Sequence, residues 1–319
     1  MECRIYDTSL NAVAVIQSWI SLEWQEEYNG AGSFTLEVYA QTNILDDIQL
    51  DYYCGINDSE TLMIIKSIIA QDNRVIINGC AAIYLLNDRI STTEIDGTAT
   101  DALTLMRGLI TNMTSYPRVE NEPNPGSITA TYNGTLDKGS VYDRISAIAA
   151  DTDIGITLKH DRDNRKLLFH AYRPEDVTEM YFPEYGNISN AEYMLGNIDH
   201  KNVAVVEGAT QTVTVGETST SGVMRKELYV DATGEEQGEQ TATEYKKLLG
   251  GLGLSALEEH NHVESINFDL MDDTVTLGTL AGCKLFNSGV FVRIIGIDIL
   301  SQNNRIERRV TLGTPIIRK

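Results

Sequence analysis

Between Gly32 and Tyr39 the chain reads GSFTLEVY, and its side chains alternate without a break. Phe34, Leu36 and Val38 fall on one side of an extended backbone and Thr35, Glu37 and Tyr39 on the other, because successive residues of a strand face opposite ways. A period of two excludes a helix here and calls for a sheet with one packed face. Gly30 and Gly32 permit positive φ, which places a turn or bulge where the chain enters that sheet. Trp19 and Trp24 lie one short strand upstream.

The same logic extends along the first ninety or so residues, with strands at Cys3 to Tyr6 and Ala12 to Glu23. In LMIIKSIIAQDNRVIINGC, Leu62 to Cys80, two β-branched runs flank Gln71-Asp72-Asn73 and read as a hairpin. Two helical patterns follow. Ala102, Leu105 and Leu109 join Leu103, Met106 and Ile110 in one apolar stripe. Ser140 and Asp143 have the spacing of a capping box, ahead of a face formed by Tyr142, Ile145, Ile148 and Ala149. SYPRVENEPNPGS between them holds three of the six prolines and reads as a loop. A second hairpin follows in IGITLKHDRDNRKLLFHAY, and helix, helix and hairpin together form an α/β unit.

Strand patterns return in HKNVAVVEGATQTVTVGE and MRKELYVD. Thr241 and Glu244 can cap the next segment, while Gly250, Gly251 and Gly253 should break it into one or two short helices. The final segment, SGVFVRIIGIDILSQNNRIERRVTLG, is a third hairpin that echoes the first. Asn73-Arg74-Val75 in one matches Asn304-Arg305-Ile306 in the other, each after paired isoleucines.

The net charge of −21, from 46 acidic and 25 basic residues, opposes binding to nucleic acid or anionic lipid, since each phosphate would meet a repulsive field. With 42% hydrophobic residues, 15 Tyr, 6 Phe and 2 Trp, the chain has the means to build a core. Cys3, Cys54, Cys80 and Cys283 form no CxxC pair and read as free thiols of a reducing cytosol. A signal peptide and a spanning helix are not expected, and sequons such as Asn133-Gly134-Thr135 are accidental.

Motifs that could carry chemistry have plainer explanations. GLGLSA, Gly251 to Ala256, fits G-x-G-x-x-[GA], but a dinucleotide site needs it on a strand-to-helix turn, and a helical pattern precedes it. His260 and His262, beside Glu258, Glu259 and Glu264, are types that hold a divalent metal, yet no further His or Cys lies near them in sequence. No cofactor, metal site or catalytic residue is expected. Carboxylates are abundant, so an acid pair for glycoside hydrolysis stays open as an alternative.

In order along the chain, W…YNGAGSFTLEVYA, INGCAAIYLLNDRI, GSVYDRISAIAADTDIGITL, NIDHKNVAVVEG and the closing hairpin resemble the hub proteins of phage tail tips. These are the N-terminal hub region of siphophage tail-associated proteins, similar to the myophage baseplate hub. The resemblance implies a β-rich α+β fold with two related β-barrel tube domains, an inserted α/β domain and a short helical insert. It places the first barrel at 1–95, the α/β domain at 96–178, the second barrel at 179–235 and 262–319, and the helical insert at 236–261. It also implies a homotrimeric ring of pseudo-sixfold symmetry at the tail tip of the virion, a structural rather than catalytic part. Its implied partners are a distal tail or tail-tube protein, a tape-measure protein and a tip fibre or receptor-binding protein. Trp19, Trp24, Tyr28, Phe34, Leu36 and Val38 are the candidates for barrel core or subunit interface. The sequence stops at Lys319 with no appended peptidase or lysozyme-like domain, so cell-wall cleavage is not expected. A tail-tip wall hydrolase and a carbohydrate-binding module remain the alternatives. The basic close, with Arg305, Arg308, Arg309, Arg318 and Lys319, could meet an acidic partner.

Overall fold

The computed structural model describes residues 1–40, 47–57, 59–113, 118–124, 126, 128–181, 188–196, 198–238, 240–260, 263–270, 275–285, 288–303 and 305–317. The chain divides into two compact units, Met1–Asn190 with Phe268–Lys319, and Ala191–Asn267.

Eleven strands of the first unit form one sheet. They are β1 (Cys3–Tyr6), β2 (Ala12–Ile16), β3 (Ser21–Glu27), β4 (Ser33–Tyr39), β5 (Tyr53–Ile56), β6 (Met63–Gln71) and β7 (Arg74–Ala81), then β8 (Asp176–Tyr181), β9 (Leu280–Leu285), β10 (Ser288–Gln302) and β11 (Arg305–Ile317). The order is β8-β9-β10-β3-β4-β7-β6-β5-β1-β2, with β11 along the other side of β10. This corrects the expectation of two closed barrels: the sheet is open and joins strands from both ends of the chain. The cause is the length of β10. Its 15 residues pair with β9 through Ser288–Arg293 and with β3 through Gly296–Gln302, and register shifts lie between the two stretches. The run Ala12 to Glu23 also divides, because β2 pairs with β1 while β3 pairs with β4 and β10.

Alternation in β4 works out as a buried Phe34, Leu36 and Val38 against a more open face, and Gly32 enters the strand at φ +47°. The first and third hairpins share their turns. Gln71 faces Arg74 and Gln302 faces Arg305 across two-residue loops, and Asp72 and Asn303 both sit in the left-handed region at φ +52°.

Helices α1 (Ala102–Asn112) and α2 (Val141–Thr152) start where side chains cap them. Asp101 accepts from the Thr104 amide and Ser140 from the Asp143 amide. The stripe of α1 buries Ala102, Met106, Leu109 and Ile110, and that of α2 buries Ile145, Ile148 and Ala149, in the same core as the sheet. Strands Gly155–Asp161 and Lys166–Tyr172 make the middle hairpin. Part of the proline-containing loop is a strand after all: Val119–Asn121 pairs in parallel with Leu167–Phe169, because burying Val119 is worth more than leaving the segment in water.

In the second unit, Val203–Gly208 lies between Thr212–Gly216 and Glu227–Ala232 in a three-stranded sheet. Against it packs α3, Ala242–Glu259, one unbroken helix of 18 residues where the glycines pointed to a break. Its start is a complete capping box of Thr241 and Glu244. The glycines are there for proximity. A Cβ on Gly253 would come within 2.6 Å of both Val206 and Val215, so a bare backbone lets the helix settle on the sheet, and packing overrides propensity. Tyr245 and Leu249 are fully buried at that contact, and the Tyr245 hydroxyl donates to the Glu235 carbonyl at 2.5 Å. Among the described residues, no helix is long and apolar enough to cross a membrane.

Candidate functional site

Of the residues singled out from the sequence, Trp24, Phe34, Leu36 and Val38 are at most 2% exposed and lie in the sheet core. Trp24 and Phe34 face each other across β3 and β4 with rings 5.8 Å apart, and Trp24 Nε1 donates to Glu26 Oε1 at 3.0 Å. Trp19 is partly buried, and its Nε1 donates to Ser301 Oγ at 3.1 Å.

Tyr28 and Asn29 occupy a junction of three segments. The Asn29 side chain donates to the Ile154 carbonyl and accepts from the Ile156 amide, both at 2.9 Å, and so ties the β3–β4 turn to the middle hairpin. Arg293 of β10 reaches over the Tyr28 ring at 5.4 Å, binds Asp153 at 2.8 Å and donates to the Gly278 carbonyl at 2.6 Å. Burial pushes the Tyr28 hydroxyl up to about 12, Asp153 adds to the rise, and Arg293 opposes it. Tyr28 therefore stays neutral at physiological pH and acts by packing.

Beside this junction lies a cavity of about 630 Å³. One wall is the sheet face of β3, β10 and β11, with Glu26, Ile297, Ile299 and Arg308. The other is the middle hairpin, with Thr157, Lys159, His170 and Tyr172, completed by Ser59–Thr61 and Val275–Leu277. Period-two alternation builds that second wall: in KLLFHAY, Leu167, Phe169 and Ala171 are buried beneath while His170 and Tyr172 face the space. Thr157 stands opposite His170 across the hairpin. His170 stacks on Tyr172 at 5.5 Å and 13°, and its Nδ1 is 2.6 Å from Glu122 Oε2. Ser59 Oγ donates to Glu26 Oε1 at 2.5 Å, and Lys159 pairs with Glu60 at 3.2 Å. Arg308 turns inward from the basic close and donates from Nη2 to the Val275 carbonyl at 2.5 Å. Its Nη1 is buried without a hydrogen-bond partner among the described residues. The sequence carried a signal for this wall, the polar face of an alternating hairpin, but only the fold sets it opposite Glu26 and Arg308.

His160, on the hairpin's first strand, is a distinct buried group. Its ring meets Tyr6 edge-on at 4.8 Å, and neither nitrogen has a hydrogen-bond partner among the described residues. Burial pulls it from 6.5 down to about 4, Arg162 adds to the fall, and Asp161 opposes it. The folded chain thus holds a neutral ring that the unfolded chain protonates at about 6.5. Its stabilising contribution is complete above pH 6.5 and is lost as pH falls from 6.5 toward 4. Thermal midpoints between pH 7 and pH 5 should therefore fall, and His160→Phe should flatten the drop; an equal slope in the variant would refute this origin. Asp7 and Asp161, whose carboxyls hydrogen bonds hold low, act at more acid pH.

The other chemical motifs dissolve. Gly251 to Ala256 lie inside α3, where no strand-to-helix turn exists to receive a pyrophosphate. His260 is the helix C-cap, and His262, Arg318 and Lys319 lie outside the described residues. No group of His, Cys, Asp and Glu among the described residues is arranged to hold a metal. Cys3 and Cys54 are fully buried with free thiols.

Residues 112–314 match the family model described as Siphovirus ReqiPepy6 Gp37-like protein. The chain belongs to that family. Its fold is also that of solved phage tail proteins. The prophage tail protein gp18 from Listeria monocytogenes EGD-e is similar at 12% identity and TM-score 0.58, over 98% of this chain and 94% of that one. The 43 kDa tail protein of prophage MuSo2 from Shewanella oneidensis gives 10% identity and TM-score 0.58 over 98% of each chain. The tail protein from Neisseria meningitidis MC58 gives 9% and 0.54, over 97% and 95%. No curated protein matches the chain. The resemblance read from the sequence to phage tail proteins holds, and at these identities it is a statement about fold.

Proposed function

We propose that this Gp37-like protein is a non-catalytic structural hub of the tail tip. Three copies form a ring of pseudo-sixfold symmetry that joins the tail tube or distal tail ring to the tip and lets DNA pass. The observation that carries the reading is the fold, which follows phage tail proteins of three bacteria along nearly the whole chain.

Two features support it. The first and third hairpins flank β3–β4 in the order β6-β7-β4-β3-β10-β11, which reads as three hairpins from either end, and they have equivalent turns. Two similar elements per chain, taken three times, supply six positions for a sixfold tube to meet. The net charge of −21 also lets a DNA duplex slide past without adhering. In this reading residues 1–95 and residues 179–235 with 262–319 are the ring-forming halves. Distal tail, tape-measure and tip fibre or receptor-binding proteins dock above, within and below. The ring also explains β2, Ala12–Ile16, an uncharged edge strand with Val13 40% and Val15 52% exposed. Such an edge invites pairing unless an assembly covers it.

Immunogold electron microscopy of virions with an antibody to this chain tests the location. Gold at the distal end of the tail is expected. Gold along the tube or at the head would overturn the hub reading.

A further inference from the structure

We infer that the cavity between the sheet and the middle hairpin binds a neutral sugar ring, of mono- to disaccharide size. The inference does not rest on the ring. At about 630 Å³ the cavity is of the size that holds small ligands. Its chemistry selects the class. Glu26, Glu60 and Glu175 stand against Lys159, Arg173 and Arg308, so an anion meets carboxylates and a cation meets guanidinium and ammonium groups. A hydroxyl is both donor and acceptor, and a polyol can serve both signs without carrying charge.

A further observation points to an occupant, beside an Arg308 that lines the space and is anchored through Nη2 on the Val275 carbonyl. Tyr172, stacked on a His170 that Glu122 holds at 2.6 Å, is a fixed aromatic surface, and with Ile297 and Ile299 it offers apolar contact to the C–H face of a pyranose. A surface fixed before binding loses little freedom when the ligand arrives. The site differs from the exposed aromatic row of a surface carbohydrate-binding module, since its aromatic group stands in a cleft between the sheet and the middle hairpin.

The test uses the full chain with N-acetylglucosamine and N,N′-diacetylchitobiose, followed by saturation-transfer difference NMR and titration calorimetry. Glucuronate and inorganic phosphate serve as charged comparators. The expected result is saturable binding of a neutral sugar with a dissociation constant of about a millimolar. Arg308→Gln and Tyr172→Ala should each weaken it about tenfold or more, while Tyr172→Phe, which keeps the ring, should stay within about threefold of the wild type. Circular dichroism spectra matching the wild type show that each variant is folded. No transfer to either sugar at about 50 mM would overturn the inference, as would tighter binding of phosphate or glucuronate, or unchanged affinity in Arg308→Gln.

Discussion

Trp24→Ala should lower the unfolding free energy by about 3–5 kcal/mol, the cost of emptying a large aromatic site in a packed core. Trp24 is 1% exposed, lies 5.8 Å from Phe34, and donates its Nε1 proton to Glu26. Its removal leaves a cavity at the centre of the sheet and takes a donor from a carboxylate that borders the ligand cavity. The other tryptophan is the control. Trp19 is only partly buried, at the margin of the core, so Trp19→Ala should cost distinctly less. Urea unfolding followed by circular dichroism gives both values. A Trp24→Ala shift no larger than that of Trp19→Ala would show that the β3–β4 pair is not central to the fold.

Gly79→Ala is the second large effect, although it adds a single methyl group. Gly79 lies in β7 opposite Phe34 of β4 and Ile65 of β6, beside the register shift between Ile65 and Ser67. A Cβ there would sit 1.7 Å from the Ile64 carbonyl oxygen and 2.6 Å from the Phe34 ring. No side chain can move aside from a backbone oxygen, so β6 and β7 must separate. Overpacking of a core costs about 1–3 kcal/mol, and a clash with backbone belongs at or above the top of that range. Gly251→Ala, in an open stretch of α3 where a Cβ meets nothing within 4 Å, should instead be neutral or stabilising. The pair of melting temperatures decides: equal shifts would refute the close approach at Gly79.

How far the sequence reveals this molecule depends on the range of the interaction. Period-two alternation located β4, the three hairpins and the buried set Phe34, Leu36 and Val38, because the pleat links neighbouring residues to opposite faces. Capping at Ser140 and Thr241 was visible for the same local reason. The continuous α3 was not. A glycine reads as a breaker until Val206 and Val215, about forty residues away, show what it makes room for. The joining of the two chain ends in one sheet was equally hidden, since nothing in SGVFVRIIGIDILSQ announces that its second half pairs with β3, which lies near the start of the chain. The candidate site is mostly of this kind. Lys159 and Tyr172 share a hairpin that alternation reveals, but Glu26 and Arg308 come from strands near the two ends of the chain, and no spacing in the sequence links them to it.

The central claim, a trimeric ring, is tested most directly by multi-angle light scattering of the purified full chain across a concentration series. The chain has a mass of 35.3 kDa, so three copies weigh about 106 kDa. A mass at that value, or one rising to it with concentration and stopping there, is the predicted result. A monomer at every concentration, or a plateau at two copies, would contradict it.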